Sequence, residues 1–203
     1  MTVQQVIDLA AGGELKNLAV KDDTEAIVGY INLGLIELYK RFTLELKEVV
    51  VELVNGQDVY NLPADCMYIV AAYGEVERTG SAVNILPINV EDNPLSVNTI
   101  NWKQVQIPLA SSNTYVSLVY VVSPTYLSVA DLETEIQIPI QLLEALLHYI
   151  GYRAHGSING SIQAENNTHY QRFDLSCQRV QQLGLLTADD LDMDARFGMR
   201  GFV

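Results

Sequence analysis

The chain has 203 residues, a formal net charge of −13 and 49% hydrophobic residues, enough apolar side chains for one good core or for a core with a smaller satellite. That balance excludes disorder as the default state and argues against a surface that grips nucleic-acid phosphates, which needs clustered Lys and Arg. No stretch reaches the roughly 18 uninterrupted apolar residues of a membrane span, and the start, MTVQQVIDLAAGGEL, lacks the basic segment and apolar run of a secretory signal.

In chain order, Val3, Val6, Ile7 and Ala10 recur at helical spacing and predict a first helix stopping at Gly12-Gly13. A longer amphipathic helix follows, capped by Asp22 or Asp23, with Glu25 favourable in its first turn. Ile27, Ile31, Leu35, Leu38 and Phe42 form its apolar stripe, and Glu37 stands four residues before Arg41, a surface pair of minor weight. The period then changes. Val49, Val51 and Leu53 alternate with Glu48, Val50 and Glu52, while Leu44 and Leu46 run in the opposite phase, which predicts a strand bulged near Lys47-Glu48.

Asn55-Gly56 supplies two positive-φ residues for a tight hairpin turn. CMYIVAAYGEVE reads as a strand paired through RTGS with SAVNILPI, and WKQVQIPLA as one paired through SSN with TYVSLVYVV. Between them EDNPLSVNT reads as a loop or a short helix with Pro94 in its first turn. The β-rich stretch so predicted runs from about Leu44 to Ile136. The helical period returns at Pro139, where Leu143, Leu146, Leu147, Ile150 and Ala154 line one side and Gly156 marks the end. A last helix spans Ser161 to Leu183, with Tyr170, Phe173, Cys177 and Val180 as a narrower stripe and Gly184 as its stop.

The fold class expected is therefore α+β. A helical bundle domain is formed by the N- and C-terminal helices, residues 1–43 and 138–186; a β-rich lobe, 44–137, is inserted in it, and an extended C-terminal tail, 187–203, follows.

A search for chemistry finds no catalytic residues. His148 and His155 lie seven apart, not at the three- or four-residue spacing of helical metal ligands, so neither metal nor cofactor is expected. Gly156-Ser157-Ile158-Asn159-Gly160 has Ile where a nucleophile elbow has Ser. Cys66 and Cys177 read as two buried free thiols, and Cys177 falls within an apolar stripe. The 25 carboxylates are scattered, with no acid/base pair singled out.

Three groups of residues carry a family resemblance. The first is the helix ending Leu38-Tyr39-Lys40-Arg41-Phe42, which runs straight into a strand. The second is Tyr60-Asn61-Leu62-Pro63-Ala64-Asp65 after a Gly-containing turn. The third is the late helix Ala145 to His155, with Tyr149 and Tyr152-Arg153-Ala154-His155, followed by a polar helix. In this order and spacing the chain, up to about Leu186, resembles the head-to-tail adaptor proteins of short-tailed bacteriophages, also called tail tubular proteins or tail accessory factors.

The resemblance implies a structural virion protein at the head–tail junction, made in the host bacterial cytoplasm. Twelve copies would form a homo-oligomeric ring beneath the portal protein, extend the DNA channel and offer attachment to the tail nozzle protein and often to tail fibres. Double-stranded DNA would pass through without specific binding, and no membrane is involved. The C-terminal segment would dock on the portal.

The residues are compatible with this. In the last helix Gln163, Asn166, Asn167, Gln171, Gln178, Gln181 and Gln182 would meet a neighbouring subunit or a wet channel, bonding without burying charge; a solvated face is the plain alternative. The tail sets Arg196, Phe197, Met199, Arg200 and Phe202 among flexible glycines, good anchors once buried against the portal, with a frayed end as the alternative. An acidic or neutral lumen would keep DNA from sticking. Two other classes stay open: a hydrolase with an unrecognised carboxylate pair, marked by a cleft with a raised pKa, and a monomeric binding module or adhesin.

Overall fold

A computed structural model describes residues 1–76, 83–108, 113–159, 168–186 and 192–193. Its contacts divide the chain in two. The described residues of Met1–Phe42 and Pro124–Asp190 form a helical unit, and those of Thr43–Ser123 and Leu191–Val203 form a β unit.

In the helical unit α1 (Val3–Gly12) starts at a capping box, the Thr2 side chain accepting from Gln5 N–H and the Gln5 amide oxygen accepting from Thr2 N–H. Its four predicted apolar residues are all buried. Helix α2 (Thr24–Arg41) is capped by Asp23, whose carboxylate accepts from Ala26 N–H at 3.0 Å. One 3-10 turn, Ile140–Leu142, leads into α3 (Leu143–Asn159), and α4 (Thr168–Gln182) lies against α3. The α2–α3 approach depends on Gly34, where an added Cβ would come within 2.6 Å of the Leu146 Cδ1 atom. Gly184, at φ 56°, ends α4 as expected, with Leu185 N–H donating to Val180 O. Gly156 does not end α3. It is buried inside the helix, and packing there outweighs the roughly 1 kcal/mol propensity loss of glycine. The predicted start of the last helix, residues 161–167, lies outside the described residues.

The β unit has strands β1 (Glu45–Glu52), β2 (Val59–Asn61), β3 (Cys66–Glu75), β4 (Val83–Leu86), β5 (Asn98–Asn101), β6 (Gln104–Gln106), β7 (Tyr115–Val122) and β8 (Asp192–Met193). They form a five-stranded sheet, β4-β3-β7-β1-β8, and a three-stranded one, β2-β6-β5. All pairings are antiparallel except the two-residue β8, which runs parallel to β1 through Glu45↔Asp192 and Leu46↔Met193. Tyr60, Ala72, Leu86, Val97, Val105, Ile107, Val116 and Leu118, drawn from both sheets and their loops, make one apolar core. The chain is thus a mixed α/β protein, with four helices among the described residues.

The predicted β3–β4 hairpin is present, from Ala72↔Leu86 to Glu75↔Val83. Other strand expectations fail. No bulge interrupts β1, which pairs continuously with β7 from Leu46↔Val121 to Glu52↔Tyr115; the register shifts lie on β3. The reason is that β1 is half-buried on both faces, so the phase of its apolar residues does not report a bulge. Gly56 turns at φ 85°, but Asn55 has no positive φ, and β1 and β2 enter different sheets. Likewise β6 and β7 lie in different sheets, not in one hairpin. Strand structure stops at Val122, short of the expected Ile136. Residues 124–137 instead pack among the helices. Asn32, buried on α2, donates to Leu127 O at 2.8 Å and accepts from Leu127 N–H at 2.9 Å, and Tyr39 OH donates to Gln137 O.

Candidate functional site

The surface of interest is built on α4. Its inner side buries Phe173, Ser176, Cys177 and Val180, three of them predicted from the stripe. The predicted Tyr170 is half-buried at the edge. Phe173 meets Tyr149 edge-on with ring centroids 5.1 Å apart, and Tyr170 meets Tyr152 at the same separation.

Arg41 closes this aromatic seam. Its guanidinium donates to Asp174 on α4 at 2.5 Å and to Tyr170 OH at 3.3 Å, and stands 4.6 Å from the centre of the Phe173 ring. Burial is the largest influence and works against the charge, but the Asp174 hydrogen bond together with the fields of Cys177, Asp174 and Tyr170 outweighs it, and the pKa of Arg41 is raised. The expected Glu37–Arg41 pair does not form. Glu37 takes Lys40 instead, at 2.7 Å, because Arg41 turns to α4, where Asp174, Tyr170 and the Phe173 ring all receive it.

All three histidines gather around Glu14, which follows α1. Glu14 Oε1 lies 3.1 Å from His148 Nδ1 and Glu14 Oε2 lies 2.7 Å from His169 Nδ1, while His155 stacks on His169 at 4.4 Å. Gly151 leaves the room: a Cβ there would stand 2.9 Å from His169 Nδ1 and 3.1 Å from Glu14 Oε2. Burial, and then the neighbouring His155, lower the pKa of His169 against the pull of Glu14. These contacts tie α1 to α3 and α4. Sequence reading saw the line of His148 and His155 but had no signal for a carboxylate 134 residues away.

Among the described residues the two thiols are poorly suited to nucleophilic chemistry. Burial pushes the Cys177 thiol up to about 11, and burial with Asp65 pushes that of Cys66 to about 11, so neither is a ready nucleophile. Both are free; Cys177 is buried and Cys66 half-buried. Among the described residues no group of three or more His, Cys, Asp or Glu could hold a metal ion, and no helix is long and apolar enough to cross a membrane. A recess of about 170 Å³ among Leu35, Tyr39, Leu127 and Ile136 is mostly apolar.

The outer side of α4 carries Gln171, Gln178 and Gln182, all exposed as the stripe requires, and Gln178 donates to Asp174 at 2.6 Å. Gln163, Asn167 and the tail residues Arg196, Phe197, Met199, Arg200 and Phe202 lie outside the described residues.

No curated protein matches the sequence. The structure is similar to a chain of the "Neck of empty GTA particle computed with C6 symmetry", with 10% identity over 87% of this chain and 88% of that one; its TM-score of 0.32 is too low to carry an argument. The family described as SU10 adaptor protein matches residues 1–198. With nearly its whole length matched, the chain belongs to the SU10 adaptor protein family, as a phage head–tail structural adaptor and not an enzyme.

Proposed function

We propose that the protein is the ring-forming adaptor of a virion's head–tail junction, made in the host bacterial cytoplasm and built as in short-tailed phages. Twelve copies bind beneath the portal protein, continue the DNA channel and receive the tail nozzle protein and tail fibres. Helices from both ends of the chain act as one bundle, with residues 124–137 packed among them and Thr43–Ser123 forming the β lobe, and 187–203 serve as a tail. The observation that carries this reading is the family match over residues 1–198. It is supported by the shape of α4, whose buried side is fixed by Phe173 and Arg41 while Gln171, Gln178 and Gln182 face outward, uncharged groups suited to a neighbouring subunit. In the same proposal Gln163 and Asn167 extend that interface, and Arg196, Phe197, Met199, Arg200 and Phe202 anchor the tail on the portal.

Electron microscopy of the chain mixed with its portal protein tests the proposal. The expected result is a ring of copies on one face of the portal, lost when residues 196–203 are deleted. Binding at another place on the particle, or undiminished binding after the deletion, overturns the ring placement or the tail's role respectively.

A further inference from the structure

Two exposed surfaces of the helical unit are opposite in charge and alike in carrying uncovered apolar side chains. On α4, Arg172, Leu175, Arg179 and Leu183 follow at intervals of three, four and four and therefore share one stripe. Leu175 is 62% exposed and Leu183 64%. The carboxylate nearest in sequence, Asp174, is held by Arg41, and the stripe itself carries two arginines and no acid.

The second surface is the connection from Pro124 to Glu144. It contains Asp131, Glu133, Glu135 and Glu144 and neither Lys nor Arg. The segment is pinned to the start of α1 by Val3 N–H on Thr134 O at 3.0 Å and Gln4 N–H on Leu132 O at 2.9 Å. Residues 1–15 add Asp8, and Glu14 held by His148 and His169, and no basic side chain, the amino group of Met1 being the one positive group there. Here too large apolar residues stand open, Tyr126 at 78% and Ile140 at 67%. Single exposed apolar residues are ordinary on a monomer; two sets of them, each beside charge of one sign, are not accounted for in that way.

We infer that the Arg172–Leu183 stripe of one copy docks on the Pro124–Glu144 connection of the next. Neither surface complements itself, since arginines would meet arginines and carboxylates would meet carboxylates. In the ring reading the contact is head-to-tail, and such contacts close into a ring when the rotation permits. Opposite charges set the register and suppress the pairing of like faces, while Leu175 and Leu183 lie over Tyr126 and Ile140. The inference rests on the ring reading above and names the two faces it uses.

The full chain is the sample, alone and with its portal protein, read by sedimentation velocity and electron microscopy, with circular dichroism to check folding. Reversing one side with Arg172→Glu and Arg179→Glu weakens assembly by about tenfold or more. Reversing the other with Glu133→Lys and Glu135→Lys does the same. All four changes on one chain restore assembly, which a folding defect would not allow. Assembly indifferent to both reversals, or a fourfold variant that fails to recover, overturns this pairing and leaves the ring standing. A wild-type chain that stays monomeric alone and beside the portal overturns the ring, and the pairing with it.

Discussion

The helical unit and the β unit are held together in different ways. In the β unit the strands are joined by continuous ladders, and one apolar core drawn from both sheets fills the space between them. In the helical unit, side chains far apart in sequence make specific polar ties across the helix seams: Asn32 with Leu127, Arg41 with Asp174, Glu14 with His148 and His169. Ladders are repetitive and tolerate the loss of one member. Where such a tie is buried, as between Asn32 and Leu127, removing one partner strands the other without water. The helical unit should therefore be the more sensitive to polar substitution, and the β unit chiefly to loss of volume.

The largest effects test the volume side of that contrast. Phe173→Ala removes a fully buried ring that Tyr149, Tyr170 and Arg41 surround and is expected to destabilise by about 3–5 kcal/mol. Leu118→Ala, equally buried in the β core, is expected to cost about 2–5 kcal/mol. Urea unfolding checks both, and a loss below about 1 kcal/mol at either site would contradict the packing described.

Next comes Asn32→Ala, which takes away both hydrogen bonds to Leu127 and leaves a buried backbone N–H and C=O without partners. The expected loss is about 1–3 kcal/mol per group left unpaired. Ser117→Ala in the β sheet, which removes the hydroxyl hydrogen-bonded to Glu48, serves as the comparison. Its smaller loss would support the contrast between the units, and an equal or larger loss would break it.

The smallest effect is a pH dependence. His169 has its pKa lowered below the ordinary 6.5 in the folded protein, so between the folded and unfolded values the unfolded chain binds more protons. Its contribution to stability is complete above about pH 6.5 and is lost as the pH falls through the lower folded value. Urea midpoints measured from about pH 7 to about pH 5 should fall with acidification, and His169→Gln should flatten that slope. An unchanged slope would remove His169 from the account.

Much of the helical unit was legible because its signals are local. The stripes Val3 to Ala10 and Ile27 to Leu38 are buried as their spacing requires, Asp23 caps α2, and Gly184 turns left-handed after α4. The outward direction of Gln171, Gln178 and Gln182 follows from where Phe173 and Cys177 must go. In the β unit the segments of β1, β3, β4, β6 and β7 were legible as strands, but of their expected pairings the β3–β4 hairpin alone is present among the described residues. Strand partners are chosen across the whole lobe, and the segments flanking Asn55-Gly56 look like neighbours in sequence although β1 and β2 belong to different sheets.

By itself the sequence determined which segments are helices, which side of each is apolar, and, through the order of three short residue groups, a phage head–tail adaptor, the part of the resemblance that the match over residues 1–198 bears out. Periodicity and capping depend on residues within a turn or two of each other, so they can be read one segment at a time. Tertiary structure alone decided that Arg41 abandons Glu37 for Asp174, that two histidines meet one glutamate while the third stacks on one of them, and that two oppositely charged surfaces stand exposed on the same unit. Those partners are separated by up to 134 residues, and only folding sets the distances on which electrostatic and hydrogen-bond energies depend.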